Sequence, residues 1–175
     1  MNFRAVLAII VLAGSALSQM AVKPGAEVKK LDFFVGTWTA EGTIPPGPSG
    51  AGGKFSVTHT NDWIAGNFFL ESRSEFKLPP ALGGDRQSTG ILGYDAEKNV
   101  YTSTEFTSQG GRAVAQGSLN GDTWTWTSSE KFEGQEIQQR ATNKILSPNS
   151  YSAKFEISED GTNWTLMMEA KVTKK

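Results

Sequence analysis

Residues 116–128 read Gln-Gly-Ser-Leu-Asn-Gly-Asp-Thr-Trp-Thr-Trp-Thr-Ser, and this stretch decides the fold class. Asn120-Gly121 is typical of a tight hairpin turn, because both residue types accept a positive φ. After the turn, polar residues alternate with the large apolar residues Trp124 and Trp126. A period of two indicates a β-strand with one face buried. The stretch therefore predicts a β-hairpin.

Similar turn signals divide the rest of the chain into short segments with strand character. Asp160-Gly161 and Pro148-Asn149-Ser150 are further turns, and residues 95–99 form a longer hairpin loop. About nine or ten strands are predicted, near residues 35–44, 53–65, 67–77, 87–95, 99–108, 111–119, 122–131, 135–146, 150–158 and 162–173. Residues 24–34 begin with Pro and carry apolar residues at helical spacing, which predicts a short helix against one end. We therefore expect an all-β, antiparallel up-and-down lipocalin-like (calycin) β-barrel with a short N-terminal helix, since closure removes exposed sheet edges.

The first 18 residues have the order of a secretory signal peptide. Arg4 precedes an apolar run over residues 5–13, and residues 16–18 form a small-x-small cleavage site. The run is shorter than the ~20 residues that cross a bilayer. We expect cleavage after Ser18, export to the periplasm or the medium, and no membrane span after cleavage. An uncleaved membrane tether is the alternative. Residues 19–175 then form a single domain.

Composition excludes several classes of function. The chain has 17 basic and 18 acidic residues, without long runs of like charge, so nucleic acid is not an expected partner. It has no cysteine, which excludes thiol nucleophiles and cysteine metal sites. His59 is the single histidine and has no carboxylates at metal-ligand spacing, so we predict no metal and no cofactor. Nucleophile-elbow, zinc-protease and phosphate-loop motifs are missing, and no catalytic residue is assigned.

The alternation of side chains along each strand predicts which residues face the barrel interior. The predicted apolar interior consists of Trp38, Ala40, Gly42, Phe55, Val57, Trp63, Phe68, Leu70, Phe76, Leu92, Tyr94, Val100, Phe106, Trp124, Trp126, Ile137, Ile145, Phe155, Ile157, Trp164, Leu166 and Met168. The same alternation turns uncharged polar residues inward: His59, Asn61, Ser72, Ser74, Thr102, Thr104, Ser128, Gln139 and Asn143. A buried polar group without a partner costs about 1–3 kcal/mol. These groups therefore favour a water- or ligand-filled cavity, although they could also bond to one another or to buried water.

Gly36-Thr37-Trp38, directly after the predicted helix, resembles the Gly-x-Trp opening of lipocalins and their calycin relatives. The resemblance implies that the glycine allows close packing and that Trp38 closes one end of the barrel. It also implies that a basic residue of a late strand covers this tryptophan by a cation–π contact. Arg140 or Lys171 would be that residue.

A closer resemblance spans nearly the whole chain after the signal peptide. The residues that carry it are Lys23-Pro24-Gly25, Leu31-Asp32-Phe33-Phe34-Val35-Gly36-Thr37-Trp38, Gly90-Ile91-Leu92-Gly93-Tyr94-Asp95 and Trp124-Thr125-Trp126. They resemble the bacterial domain-of-unknown-function family 1579. The resemblance implies a bacterial protein with a calycin-like barrel and no assigned activity.

From these features we expect an exported protein that binds a small apolar or amphipathic molecule inside the barrel, rather than an enzyme. The predicted ligand-binding residues are Trp38, His59, Asn61, Trp63, Tyr94, Trp124 and Trp126. One alternative is an isomerase- or cyclase-type enzyme with His59 as general base. Another is a structural or interaction scaffold without a ligand, which would make its contacts through loops 45–53 and 78–86. The sequence specifies neither the ligand nor the number of subunits.

Overall fold

The structure is a computed structural model that describes residues 23–47, 50–132 and 134–175. The predicted signal peptide at residues 1–18 lies outside these residues. Within them, ten antiparallel strands pair in chain order, and β10 pairs with β1, so the sheet closes into an up-and-down barrel. The strands are β1 (Gly36–Ile44), β2 (Gly53–Ile64), β3 (Phe69–Lys77), β4 (Arg86–Asp95), β5 (Val100–Thr107), β6 (Arg112–Asn120), β7 (Thr123–Phe132), β8 (Gln135–Ser147), β9 (Ser150–Ser158) and β10 (Thr165–Lys174). The predicted fold class is confirmed.

Local turn chemistry explains how the strands reverse. Between β6 and β7, Asn120 pairs with Thr123, so the two-residue turn is Gly121-Asp122, one position later than predicted. Gly121 adopts a φ of +59°, a conformation that glycine accepts without strain. Between β4 and β5, Asp95 Oδ1 accepts hydrogen bonds from the backbone N–H groups of Glu97 and Lys98, at 3.0 and 3.1 Å. Asp95 therefore holds the loop that was predicted at residues 95–99.

A short helical segment lies across one end of the barrel. The α-helix α1 (Ala26–Lys29) continues into a 3-10 turn over Lys30–Phe34. Leu31 and Phe34 are buried and belong to the same core cluster as Trp38 and Trp124. We call residues 26–34 the plug, and the barrel end that it covers the closed end. The helix predicted at residues 24–34 is confirmed in this position.

The interior alternation is as predicted on β1 to β4 and on β7 to β9, and no interior residue was predicted on β6. On β10 the predicted Leu166 lies outside, because a register shift between Leu166 and Met168 pairs it with Glu156 of the outer face. On β5 the predicted alternation is wrong. Val100, Phe106, Thr102 and Thr104 were predicted to face inward. Instead Tyr101 is buried, Ser103 and Glu105 line the interior, and Phe106 is 51% exposed. The error has a physical source: two apolar residues of β5 lie on the outer face, so apolar content indicates the wrong face of this strand.

Two predicted aromatic environments also differ in the structure. Trp164 precedes β10, and the Arg140 guanidinium lies 4.0 Å from the centre of its ring. Arg140 alternates with the cavity-lining residues Gln139 and Ala141, so this pair lies on the outer face rather than inside. The cation over Trp38 is Lys174, whose Nζ lies 5.3 Å from the ring centre, and not Arg140 or Lys171. Lys174 pairs with Trp38 in the β10–β1 register, which explains the contact.

Candidate functional site

The barrel encloses a cavity of about 390 Å³ between the plug and the opposite end, which we call the mouth. Its apolar wall includes Phe34, Phe55, Val57, Leu70, Phe76, Leu92, Trp126, Phe155 and Met168. Small residues on several strands leave the space open: Ala40, Gly90, Ala113, Ala115, Ala141, Ala153 and Ala170. Uncharged polar residues interrupt the apolar wall: Asn61, Ser72, Ser74, Ser103, Ser128, Gln139 and Asn143. The polar interior predicted from the sequence therefore faces a cavity and not a solid core.

His59 stands on the cavity wall in the middle of β2. Its Nδ1 lies 2.8 Å from Ser74 Oγ, and these two residues are partners in the β2–β3 register. Burial lowers the pKa of His59 to about 4, because the apolar surroundings disfavour the charged imidazolium. His59 is therefore neutral at pH 7 and adds a hydrogen-bonding group, but no charge, to the cavity.

Asn61 lines the cavity near the closed end and also holds the plug. Its Nδ2 donates a 2.7 Å hydrogen bond to the carbonyl oxygen of Phe34. Trp38 Nε1 donates to the same oxygen at 2.8 Å. Two side chains of different strands thus satisfy the carbonyl at the end of the 3-10 turn, which has no partner within the helix.

Two further residues tie the plug to the barrel. Trp63 Nε1 donates a 2.8 Å hydrogen bond to Asp32 Oδ1. The Tyr101 hydroxyl donates to Glu27 Oε2 at 2.8 Å. Burial and this hydrogen bond raise the pKa of Tyr101, so its hydroxyl remains a donor. The plug is therefore fixed by hydrogen bonds along its length, in addition to its apolar packing.

The remaining predicted site residues belong to an aromatic layer. Trp124 is 1% exposed and packs against Phe34 and Tyr101, with ring centres 5.2 and 4.6 Å apart. It stacks on Trp126, whose ring continues the layer onto the cavity wall. The Trp124 Nε1–H group is buried without an acceptor in the described residues. The Tyr94 ring packs on Tyr101, and its hydroxyl donates to Asn99.

Of the seven residues predicted to contact a ligand, the structure places three on the cavity wall: His59, Asn61 and Trp126. The cavity wall does not include the other four, which lie in or beside the closed end: Trp38, Trp63, Tyr94 and Trp124. The reason is that alternation predicts whether a side chain faces inward, but not its position along the barrel axis between the plug and the mouth. The hydrogen bonds of Trp38 and Trp63 assign these two residues to holding the plug.

The sequence reasoning missed Ser103 and Glu105, which both line the cavity from β5. The wrong alternation on β5 hid them. The signal that could have found them is Tyr94, which was predicted inward: its register partner is Tyr101, and Tyr101, Ser103 and Glu105 share one face of β5. Within the described part of the chain, no group of three histidine or acidic side chains is placed to hold a metal ion.

The barrel wall opens between two strands near the mouth. β6 pairs with β7 from Asn120–Thr123 to Gln116–Thr127, whereas β6 stays paired with β5 as far as Arg112. β7 likewise stays paired with β8 as far as Phe132. The two strands therefore part toward the mouth, and we call the opening over residues 112–115 and 128–131 the seam. Ala113 lines the cavity at the seam and is also exposed.

Comparisons with known proteins support the fold. The chain matches the family described as "Protein of unknown function (DUF1579)" over residues 23–174. It is similar in structure to Rv2717c from M. tuberculosis, known from a crystal structure, with a TM-score of 0.59 and 13% identity over 87% of this chain and 99% of that one. A structure of EF1p2_mFAP2b bound to DFHBI aligns with a TM-score of 0.44 and 11% identity over 85% of this chain and 98% of that one. No curated protein matches the sequence. At such identities the likeness to Rv2717c indicates a shared fold alone.

Proposed function

Because the chain belongs to DUF1579, a family of proteins of unknown function, we propose its function from the cavity itself: the protein binds a small apolar or amphipathic molecule inside the barrel. The observation that carries this proposal is the coexistence of an open cavity with unpartnered polar groups on an apolar wall. A volume of about 390 Å³ lies within the range of about 300–1,000 Å³ typical of small-molecule sites.

The wall is suited to a ligand with an apolar body and a few hydrogen-bonding groups. Leu92, Phe155 and Trp126 supply apolar contact area. His59 presents its Nε2, and Asn61 its Oδ1, because their other polar atoms are held by Ser74 and by the plug. The hydroxyls of Ser72 and Ser103 make no side-chain hydrogen bond within the described residues and supply further partners. Export of the protein is part of the proposal and rests on the sequence of residues 1–18.

The first test is native mass spectrometry of the protein purified from its own host, followed by organic extraction of any added mass. We expect a stoichiometric adduct of a few hundred daltons. Ala141→Phe inserts a ring between Trp126 and Phe155, its register partners on the cavity wall, and should lower ligand occupancy at least about tenfold. Thr89→Phe adds the same ring on the outer face of β4 and should leave occupancy unchanged.

The outcome that refutes the proposal is a bare mass for the wild-type protein, together with no calorimetric response to a panel of apolar and amphipathic compounds. Equal loss of ligand from Ala141→Phe and Thr89→Phe would also contradict it, because such a result assigns the loss to folding and not to the cavity. Circular dichroism of both variants checks that the barrel is intact.

A second candidate function is an enzyme of isomerase or cyclase type with His59 as base, favoured by the fixed position of this imidazole beside Ser74. A pKa of about 4 makes His59 a weak base at neutral pH, whereas general bases work best with a pKa near the operating pH. The geometry therefore supports binding better than catalysis. Once a reaction is detected, full turnover by a His59→Ala variant would eliminate this candidate.

A further inference from the structure

The charged groups that face the cavity point to the chemical class of its ligand. We propose that the cavity takes an amphipathic molecule with a positively charged, amine-type head group, and that Glu105 receives this group. The inference rests on the proposed function, since it specifies the ligand of the same cavity.

Glu105 is the acidic side chain that the fold turns into the wall of β5. It alternates with Ser103 and Tyr101 on the inner face and is half-buried. Its register partners are Gly90 on β4 and Ala113 on β6. Both residues are small, so neither neighbouring strand places a large side chain directly beside the Glu105 carboxylate. The carboxylate is therefore free to meet a ligand.

The charge of Glu105 is not neutralised by the protein. The carboxylate makes no ion pair and no hydrogen bond within the described residues. Arg86 shares the inner face of β4, but its guanidinium lies over the Phe76 ring, 5.4 Å from the centre. Arg86 is also four residues from Gly90, which corresponds to about 13 Å along a strand. Arg86 therefore stands beyond Glu105 toward the mouth.

The other ionisable groups of the wall do not offer a compensating cation. Lys154 and Glu169 border the cavity, but both are exposed and alternate with inward residues, so their charged groups lie on the outer face, opposite each other in the β10–β9 register. His59 is neutral because burial lowers its pKa to about 4. Glu130, which shares the inner alternation of β7, adds a second carboxylate near the mouth and accepts a hydrogen bond from Gln139 at 3.3 Å. Among the described residues, the wall thus repels an anionic head group and has no inward cation beside Glu105 to offset that repulsion.

The seam lowers the desolvation cost of a charged head group beside Glu105. Ala113, the partner of Glu105 on β6, lies at the seam and is exposed to solvent. An ammonium group beside Glu105 can therefore keep part of its hydration, which avoids the large penalty of burying an ion pair completely. The apolar body of the same molecule then lies against Leu92 and Trp126, deeper in the cavity.

The test compares three probes with the same twelve-carbon chain: dodecyltrimethylammonium, dodecanol and dodecanoate. Isothermal titration calorimetry at pH 7, below the micellar concentrations, measures the affinity of the full folded protein for each. We expect the ammonium probe to bind at least about tenfold more tightly than the carboxylate probe. Glu105→Gln should weaken the ammonium probe about five- to tenfold and leave dodecanol within about twofold. Glu75→Gln removes a carboxylate from an exposed position at the same end and should leave all three affinities unchanged.

The possible outcomes separate the two proposals. If the three probes bind equally, if dodecanoate binds most tightly, or if Glu105→Gln and Glu75→Gln act alike, the head-group inference is overturned and the binding function stands. If none of the three probes binds, the proposed function and the inference both fail. Glutamine has nearly the same shape as glutamate, and a thermal melt of each variant confirms that the barrel is folded.

Discussion

The closed end and the cavity wall are built from the same ten strands but differ in how their polar side chains are satisfied. At the closed end, Trp38 and Asn61 donate to Phe34, Trp63 donates to Asp32, and Tyr101 donates to Glu27. Along the cavity wall, His59 bonds to Ser74 and Ser128 to Gln139, whereas Ser72, Ser103 and Asn143 have no side-chain hydrogen bond within the described residues.

Alternation along a strand shows which side chains face inward. It does not show which of them hold the plug and which face the cavity. An inward polar group beside the plug finds an acceptor on the plug backbone or side chains. Away from the plug, some inward polar groups, such as Ser72 and Ser103, meet space instead, because the wall carries alanine and glycine where a packed barrel would carry larger side chains. The inward polar groups at the closed end therefore hold the plug, and the unbonded groups of the cavity wall are the ones available to the proposed ligand.

The largest effect should come from the closed end. Trp38→Ala removes a ring that is 0% exposed and the hydrogen bond to Phe34, and it leaves a void beneath the plug. We expect a loss of about 3–5 kcal/mol in the free energy of unfolding, measured by urea denaturation. Trp164→Ala, on the outer face, is the matched control and should cost clearly less. A loss below about 1 kcal/mol for Trp38→Ala would contradict the structural role assigned to the closed end.

An intermediate effect is expected from acid, through His59. The pKa of His59 is about 4 in the folded protein and near 6.5 when unfolded, so the unfolded state binds the proton more tightly between these values. Stability contributed by neutral His59 is present above pH 6.5 and is lost as the pH falls toward 4, about 2–3 kcal/mol at pH 4.5. Urea denaturation from pH 7 to 4.5 should show a smaller loss for His59→Gln than for the wild type. Parallel pH profiles of the two proteins would contradict the burial of a neutral imidazole.

The smallest effect should come from the cavity wall. Ser72→Ala removes a hydroxyl that makes no side-chain hydrogen bond in the described residues, so the free energy of unfolding should change by less than about 0.5 kcal/mol. Asn61→Ala is the control, a truncation of the same kind on the neighbouring strand. It removes one hydrogen-bond donor from the Phe34 carbonyl and should lower the free energy of unfolding by about 1–2 kcal/mol. Similar losses from both variants would show that the cavity wall is as fully bonded as the closed end.

Much of the architecture could be predicted from the sequence, because it depends on local properties. Turn residues such as Gly121 fix where strands reverse, and the polar–apolar alternation of Trp124 and Trp126 fixes which face they present. The plug could be predicted from helical spacing before Gly36. On β5 the same reasoning was wrong, because Phe106 lies on the outer face while Ser103 and Glu105 face the cavity, and no local rule assigns an inward carboxylate.

The sequence by itself determined the all-β class, the strand order and the presence of inward polar residues, since turn chemistry and side-chain alternation act between near neighbours in the chain. The tertiary structure alone decided which inward residues face the cavity and which hold the plug. That choice depends on height along the barrel axis relative to the plug, whose contacts join residues far apart in sequence, such as Asp32 with Trp63 and Glu27 with Tyr101. It places Trp38 and Trp63 against the plug, His59 and Trp126 on the cavity wall, and Glu105 beside the seam.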